Sequence, residues 1–414
     1  MKNKLIILLS IIVLPLASQQ RFAVEQLVER LVENNYSNKI YARRTVQAEN
    51  NVNISPMMPS LSATARQSSN GLSETNTIGL GATLNWRLFD GLAMFSTYDK
   101  TRAQLEVANL NQLANLESLV QQVINHYYLI VSLNSRAKVA RELIALSQRR
   151  YEEALLRLDI ESFSRLDVTL AKSDLNSDST YLIRQLESLN LAYISLNQLL
   201  NFEYRMNGYV NDTIIVDKTF GKNELEELIL AQNTQILLSK KGIDIADLNL
   251  RLNQAAQYPT LDFSAGYNYN AVNTRPATNY STSNGANFGF TVGMNLFNGL
   301  TTRRNIANSK IDKDISNISL LNTENSVLTS FNSIYTSYQN NVRLIDFESE
   351  NAEAMKFNLE TAFLKYTQGS MSGIDLRNIQ QQYLNAEDRK INALYLAKVS
   401  EISLRALAGV ILRY

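Results

Sequence analysis

Ile78-Gly-Leu-Gly-Ala-Thr-Leu-Asn-Trp-Arg-Leu-Phe89 alternates two kinds of residue without a break. Ile78, Leu80, Ala82, Leu84, Trp86 and Leu88 are apolar, while Gly79, Gly81, Thr83, Asn85 and Arg87 sit between them. Phe288-Gly-Phe-Thr-Val-Gly-Met-Asn-Leu-Phe297 repeats the pattern with Phe288, Phe290, Val292, Met294 and Leu296. Strand side chains point alternately to opposite faces, so a period of two predicts strands with one greasy and one wet side. What covers the greasy side separates a sheet shielded by helices from a wall set in lipid.

Each stretch is preceded by another alternating segment, Leu61–Arg66 and Leu261–Tyr269. The polar sides of these segments carry Ser62, Thr64, Arg66, Asp262, Ser264, Gly266 and Asn268. The longer segments suit a tilted membrane strand of about 9–11 residues. Tyr267, Tyr269 and Trp86 are the expected interface aromatics. A membrane wall is favoured here, because the flanking helices are too long to fold back over a small sheet. Four strands cannot close a lumen, and open edges are forbidden in lipid, so such a barrel must be shared between subunits.

Downstream of each strand pair the period changes to that of a helix. Val327, Phe331, Ile334, Tyr338, Val342 and Ile345 recur every three or four residues, as do Ile391, Tyr395, Val399, Ile402 and Ala406. From Leu92 to about Leu156 there is neither Pro nor Gly, which predicts a helix roughly 100 Å long. A return helix is expected from about Arg165 to Leu200, after a turn at Asp159–Ser164. The second such turn is expected at Gln368–Gly373.

The pattern occurs twice. Pro59 and Pro259 lie 200 positions apart; Phe89 and Phe297, and Asp167 and Asp375, lie 208 apart. The eight extra residues are expected in polar loops, Ala271–Ala286 as against Gln67–Thr77. Each unit then comprises an initial helix (Phe22–Asn51; Leu225–Ala256), two strands, a very long helix, a tight turn and a return helix. The expected division is a leader over 1–18, a first unit over 19–215 and a second over 216–414.

Composition narrows the function. The 414 residues carry 40 basic and 39 acidic side chains, a net charge of +1 that gives no reason to expect nucleic acid. There is no Cys and one His, which removes thiolate chemistry and leaves little imidazole chemistry. No Gly-rich phosphate loop, Ser-centred nucleophile motif or His/Glu metal spacing stands out, so no catalytic residue, cofactor or metal is expected. Met1-Lys-Asn-Lys4, then an apolar run from Leu5 to Ala17, reads as an export signal. No Cys follows to carry a lipid, and no later stretch approaches about 18 uninterrupted apolar residues, so an exported membrane protein of this kind must cross as strands.

Taken together, these residues resemble the TolC-like outer-membrane efflux family over essentially the whole mature chain. The most specific piece is Tyr366-Thr-Gln-Gly369-Ser-Met-Ser-Gly-Ile-Asp375-Leu-Arg-Asn378, which is similar to the family's turn into its last long helix. Its counterpart in the first unit centres on Leu166-Asp167-Val168. The resemblance implies a mainly α chain with a membrane β part. A homotrimer would form a twelve-stranded transmembrane barrel continuous with a long α-helical barrel. It implies an exit duct in the outer membrane lipid of a Gram-negative bacterium, with a periplasmic extension. The duct would serve a tripartite efflux or type I secretion system, alongside a periplasmic adaptor protein and an inner-membrane transporter. The rival reading is a periplasmic helical-hairpin adaptor without a pore, which should carry one hairpin rather than two.

The resemblance also assigns a gate. Asp375 takes the place of an acidic ring at the periplasmic constriction, where three like charges would favour cations. Tyr366 and Asp167 match positions that link neighbouring helix pairs in the closed state. The chain departs from the pattern at Met371, where an Arg of the closing network is usual. It departs again at Asn378, where a second acidic ring could stand, and at Glu161, which replaces a Gly. Arg165 is the candidate replacement for the missing Arg. Taken alone, an Asp at a helix start is more simply a cap.

Overall fold

The computed structural model describes residues 23–71, 75–159, 164–201, 213–274 and 279–413. Two antiparallel helical hairpins of great length dominate it. The first joins α3 (Ala93–Asp159) to α4 (Arg165–Leu200), and the second joins α7 (Thr301–Thr367) to α8 (Gly373–Leu407). α3 and α7 are each 67 residues long, about 100 Å at 1.5 Å per residue. No described helix is long and apolar enough to cross a membrane. The apolar spacing read from the sequence is the packing stripe: Val327, Phe331, Tyr338 and Ile345 are buried. α3 packs on α8 as well as on α4, and the core nearest the turns joins Val139 and Leu143 of α3 to Leu359, Leu376 and Tyr383.

The initial helices differ from expectation. Each is two helices, α1 (Val24–Asn34) with α2 (Tyr36–Asn51), and α5 (Lys222–Gln232) with α6 (Thr234–Ala255). The break in both falls on an asparagine in extended conformation, Asn35 (φ −64°, ψ 125°) and Asn233 (φ −60°, ψ 122°). Asn35 accepts from the Asn38 N–H at 3.0 Å and donates to the Leu199 carbonyl at 2.8 Å. Asn233 accepts from the Gln235 and Ile236 N–H groups and donates to the Leu407 carbonyl at 2.9 Å. Each side chain caps one helix start and ties it to the last turn of a return helix. Replacing either by Ala is expected to remove about 1–2 kcal/mol of stability, read as a lowered thermal midpoint; an unchanged midpoint would refute the role.

The sheet is a meander, β1-β2-β3-β4, antiparallel throughout: β1 (Ser60–Asn70), β2 (Thr75–Phe89), β3 (Thr260–Thr274) and β4 (Asn279–Gly293). The eight extra residues of the second unit do not enlarge a loop. The β3/β4 ladder has 15 residue pairs and the β1/β2 ladder has 11; four more pairs are eight more residues. Ser, Asn, Thr and Gly there look like loop formers, but their backbone groups are satisfied across the ladder. The second alternating stretch also stops short, since β4 ends at Gly293 and Met294–Phe297 lie outside the strand. Gly293 is already opposite Thr260, the first residue of β3, and Pro259 before it has no N–H to continue the pairing.

The recurring Leu-Phe-Asp/Asn-Gly-Leu is the corner from strand to helix. Gly91 and Leu92 (φ 69° and 70°) and Gly299 and Leu300 (φ 63° and 61°) are all left-handed. Asp90 and Asn298 then accept from the N–H groups of Met94 and Thr302 in the first helical turn. At Gly91 a Cβ would lie 2.6 Å from the Ala255 carbonyl oxygen, so only glycine fits.

Candidate functional site

The sequence points to two places, the strand wall and the turns at the far ends of the hairpins. In the wall, register sorts the faces. Leu61, Leu84, Ala265 and Phe288 share one row; Trp86, Phe263 and Phe290 share another; Leu80 and Tyr269 share a third. Rows of the opposite face hold Ser62, Thr83, Gly266 and Asn287, or Thr64, Gly81, Asn268 and Gly285. The greasy face is bare. Leu61 is 76% exposed, Phe288 79% and Val292 72%, and no described helix packs across the sheet. From Leu261 to Ala271 the apolar side extends ten residues, about 34 Å along the strand. At a tilt near 40° that is roughly 26 Å of height, matching an apolar band of about 25 Å. The indole N–H of Trp86 donates to the Met57 carbonyl at 3.0 Å, leaving its ring on the apolar rim.

At the turns, the predicted site residues take different roles. Asp167 is locked in a capping box: it accepts from the Ser164 hydroxyl at 2.7 Å and the Ser164 N–H at 3.0 Å, and its own N–H donates back. Those donors hold its carboxyl below the usual carboxylate range. At α8 the arrangement is simpler, with no full box: Asp375 accepts from the Ser372 hydroxyl at 2.7 Å, and its own N–H donates to that hydroxyl at 3.1 Å. Both carboxylates are exposed, and Asn378 is exposed one turn beyond Asp375. Tyr366 is buried, 1% exposed. The Arg157 guanidinium of α3 stacks over its ring at 5.3 Å and donates to the Tyr366 and Thr367 carbonyls at 3.0 and 2.8 Å. Burial holds the Tyr366 phenol above its ordinary range, with Arg150 as its hydroxyl's partner. The structure therefore brings Tyr366 to Arg150 and Arg157 and not to Asp167. Glu161 lies outside the described residues.

Sequence reasoning missed a network between the two hairpins. Arg150 of α3 pairs with Asp174 of α4 at 2.7 Å. Arg377 of α8 donates to both carboxylate oxygens of Asp178 at 2.9 Å and lies 3.4 Å from Asp174. The Ser147 hydroxyl donates to Asp178, and Gln380 donates to Ser147. Arg150 and Asp178 are buried despite their charge. The one available signal was the spacing of Asp174 and Asp178, which share a helix face; nothing local distinguishes them from surface carboxylates.

The sequence matches the family model described as outer membrane efflux protein over residues 39–201 and 225–410. The chain belongs to this family. Its fold is that of solved efflux channels. The channel VceC of Vibrio cholerae is 16% identical, with TM-score 0.78 over 94% of this chain and 96% of that one. The open-state MtrE channel of Neisseria gonorrhoeae is also 16% identical, with TM-score 0.79 over 94% and 89%. The Campylobacter jejuni CmeC channel, again 16% identical, gives 0.76 over 94% and 86%. Among proteins of curated function none matches. The efflux protein thus resides in the outer membrane with a periplasmic portion, and acts as an exit duct; its family are transport conduits.

Proposed function

We propose that three copies of the efflux protein assemble into one hollow duct, twelve strands closing a barrel in the membrane and the long hairpins closing a second barrel across the periplasm. The observation that carries this reading is the pair of unpaired edges. β1 and β4 each bond on one side only, while their apolar face is bare. An open edge in lipid leaves backbone groups unsatisfied at several kcal/mol each, so β1 of one copy must meet β4 of another. The helices agree: Ile311, Ile315 and Ile318 of α7, spaced by four and three, are each more than half exposed in the single chain. A neighbouring copy would cover them. Two hairpins in one chain speak against the one-hairpin adaptor.

In this assembly the duct performs no chemistry. A periplasmic adaptor and an inner-membrane transporter supply cargo and energy, and opening is a population shift toward a tip conformation that the adaptor binds better. Asp375, with Asn378 leaving its ring single, would set cation preference at the tip. Tyr366 would hold the tip closed, through Arg150 and Arg157 rather than through Asp167. Single-channel recording in planar bilayers tests this. Asp375→Asn is expected to weaken cation preference and Tyr366→Phe to raise conductance. Wild-type behaviour of both variants would refute the gate assignment.

A further inference from the structure

We propose that Arg66 is the anion-recognising group of the β-channel, a ring of three guanidinium groups on the water side of the wall. The inference rests on the trimeric barrel. The described residues of the sheet contain three charged side chains, Arg66, Arg87 and Asp262. All three belong to the polar face: Arg66 shares its row with Gly79, Asn270 and Ser283, and Arg87 shares its row with Asp262 and Thr291. Arg87 and Asp262 neutralise each other in an ion pair of 2.9 Å.

Arg66 has no such partner among the described residues. The carboxylate of Asp262 is eight positions away along β2, from Gly79 to Arg87. That is about 27 Å, more than three times the roughly 8 Å over which physiological salt screens a charge. Its own row is neutral. Gly79 beside it has no side chain, and the space above Gly79 is taken by the Asn270 carboxamide, whose oxygen lies 3.0 Å from where a Cβ would be. The remaining side of β1 faces the next copy. β4, Asn279–Gly293, contains no Asp, Glu, Lys or Arg, so closing β1 against it brings no carboxylate in any register. Glu74 and Arg275 lie outside the described residues.

The result is an exposed arginine in a water-filled tube with low-dielectric walls, where field lines concentrate. A guanidinium presents a planar fork of donors that matches the oxygens of phosphate, carboxylate or sulfonate. The outer section of the duct would therefore attract anionic groups, opposite in sign to the acidic tip. This assigns Arg66 a part in cargo passage that the gate residues do not have.

Side-specific block of the reconstituted channel tests it, with inorganic triphosphate as the probe. Wild-type current is expected to be blocked at lower concentration from the β-barrel side than from the helical side. Arg66→Gln should raise the half-blocking concentration from that side at least about tenfold; Arg66→Lys, which keeps the charge and loses the fork, should fall between. Arg66→Glu should exchange triphosphate block for block by spermine. Equal block of wild type and Arg66→Gln, in channels that otherwise conduct normally, would overturn the role of Arg66 alone. A purified protein that opens no channel, either as wild type or with the tip loosened by Tyr366→Phe, would overturn the barrel reading and this inference with it.

Discussion

Phe288→Arg is expected to abolish assembly in the outer membrane, whereas Gly289→Arg, one residue along the same strand, is expected to be tolerated. Phe288 stands in the middle row of the apolar face with Leu61, Leu84 and Ala265, and it is almost fully exposed. An arginine at the bilayer midplane of a barrel costs about 2–4 kcal/mol, so three copies accumulate about 6–12 kcal/mol. That is comparable to the whole stability of a typical folded domain. Gly289 belongs to the opposite face, in the row of Asn85 and Ser264, and a Cβ there meets nothing within 4 Å. The amount of heat-resistant oligomer in the outer-membrane fraction is the measurement. Near-background oligomer for Phe288→Arg beside near-normal oligomer for Gly289→Arg is the expected result. The reverse order would mean that the faces are exchanged and that helices, not lipid, cover the apolar side.

The second large effect is expected at Asp178. Its carboxylate receives Arg377 through two bonds of 2.9 Å and also receives Ser147. Asp178→Ala leaves the buried Ser147 hydroxyl without its acceptor and the partly buried Arg377 guanidinium with only Asp174, 3.4 Å away. Breaking one side of a buried pair typically costs about 3–5 kcal/mol. Because the bond runs from α4 to α8, its loss removes a tie between the two hairpins. The oligomer is therefore expected to dissociate at a lower temperature, and the channel to conduct more in single-channel records. Arg377→Ala in the same chain should add little to Asp178→Ala, since residues of one network couple. Strictly additive losses would show that the two act separately.

Much of this fold was legible in the chain because its signals are long. An uninterrupted helical period from Leu92 to Leu156 corresponds to α3, Ala93–Asp159, and the return helix began and ended as expected at Arg165 and Leu200. Period-two alternation located all four strands, and Leu-Phe-Asp/Asn-Gly marked both corners. The errors came where local chemistry is ambiguous. Asn35 and Asn233 interrupt helices by capping, yet asparagine is tolerated within helices, so only the tertiary bonds to Leu199 and Leu407 reveal the break. The polar ends of β3 and β4 resembled loops because in water-exposed strands both faces are polar, and the ladder rather than the side chains holds them.

The candidate site was legible only in part, for a related reason. Tyr366, Asp167 and Asp375 stood out through a turn pattern, and that pattern is local. Both aspartates bond the serine that caps their helix, a local role that their position at the helix starts already suggested. Tyr366 meets Arg157 across 209 residues of sequence, and Arg377 meets Asp178 across 199. Pairs so far apart in the chain leave no periodic trace. They depend on α3 lying against α7 and on α4 lying against α8, contacts that no single helix encodes. Glycine spacing in the wall was likewise visible as alternation only. Its use became apparent through register, where Gly79 and Gly81 give space to the amides of Asn270 and Asn268.

The central claim is that the apolar side of this four-stranded sheet faces lipid and that other copies complete the wall. Measuring the protein mass of the purified mature polypeptide in detergent, and again after detergent removal, tests it most directly. The expected result is a particle of three chains in detergent that aggregates once detergent is withdrawn. A single chain, monodisperse and folded in plain buffer, would contradict it.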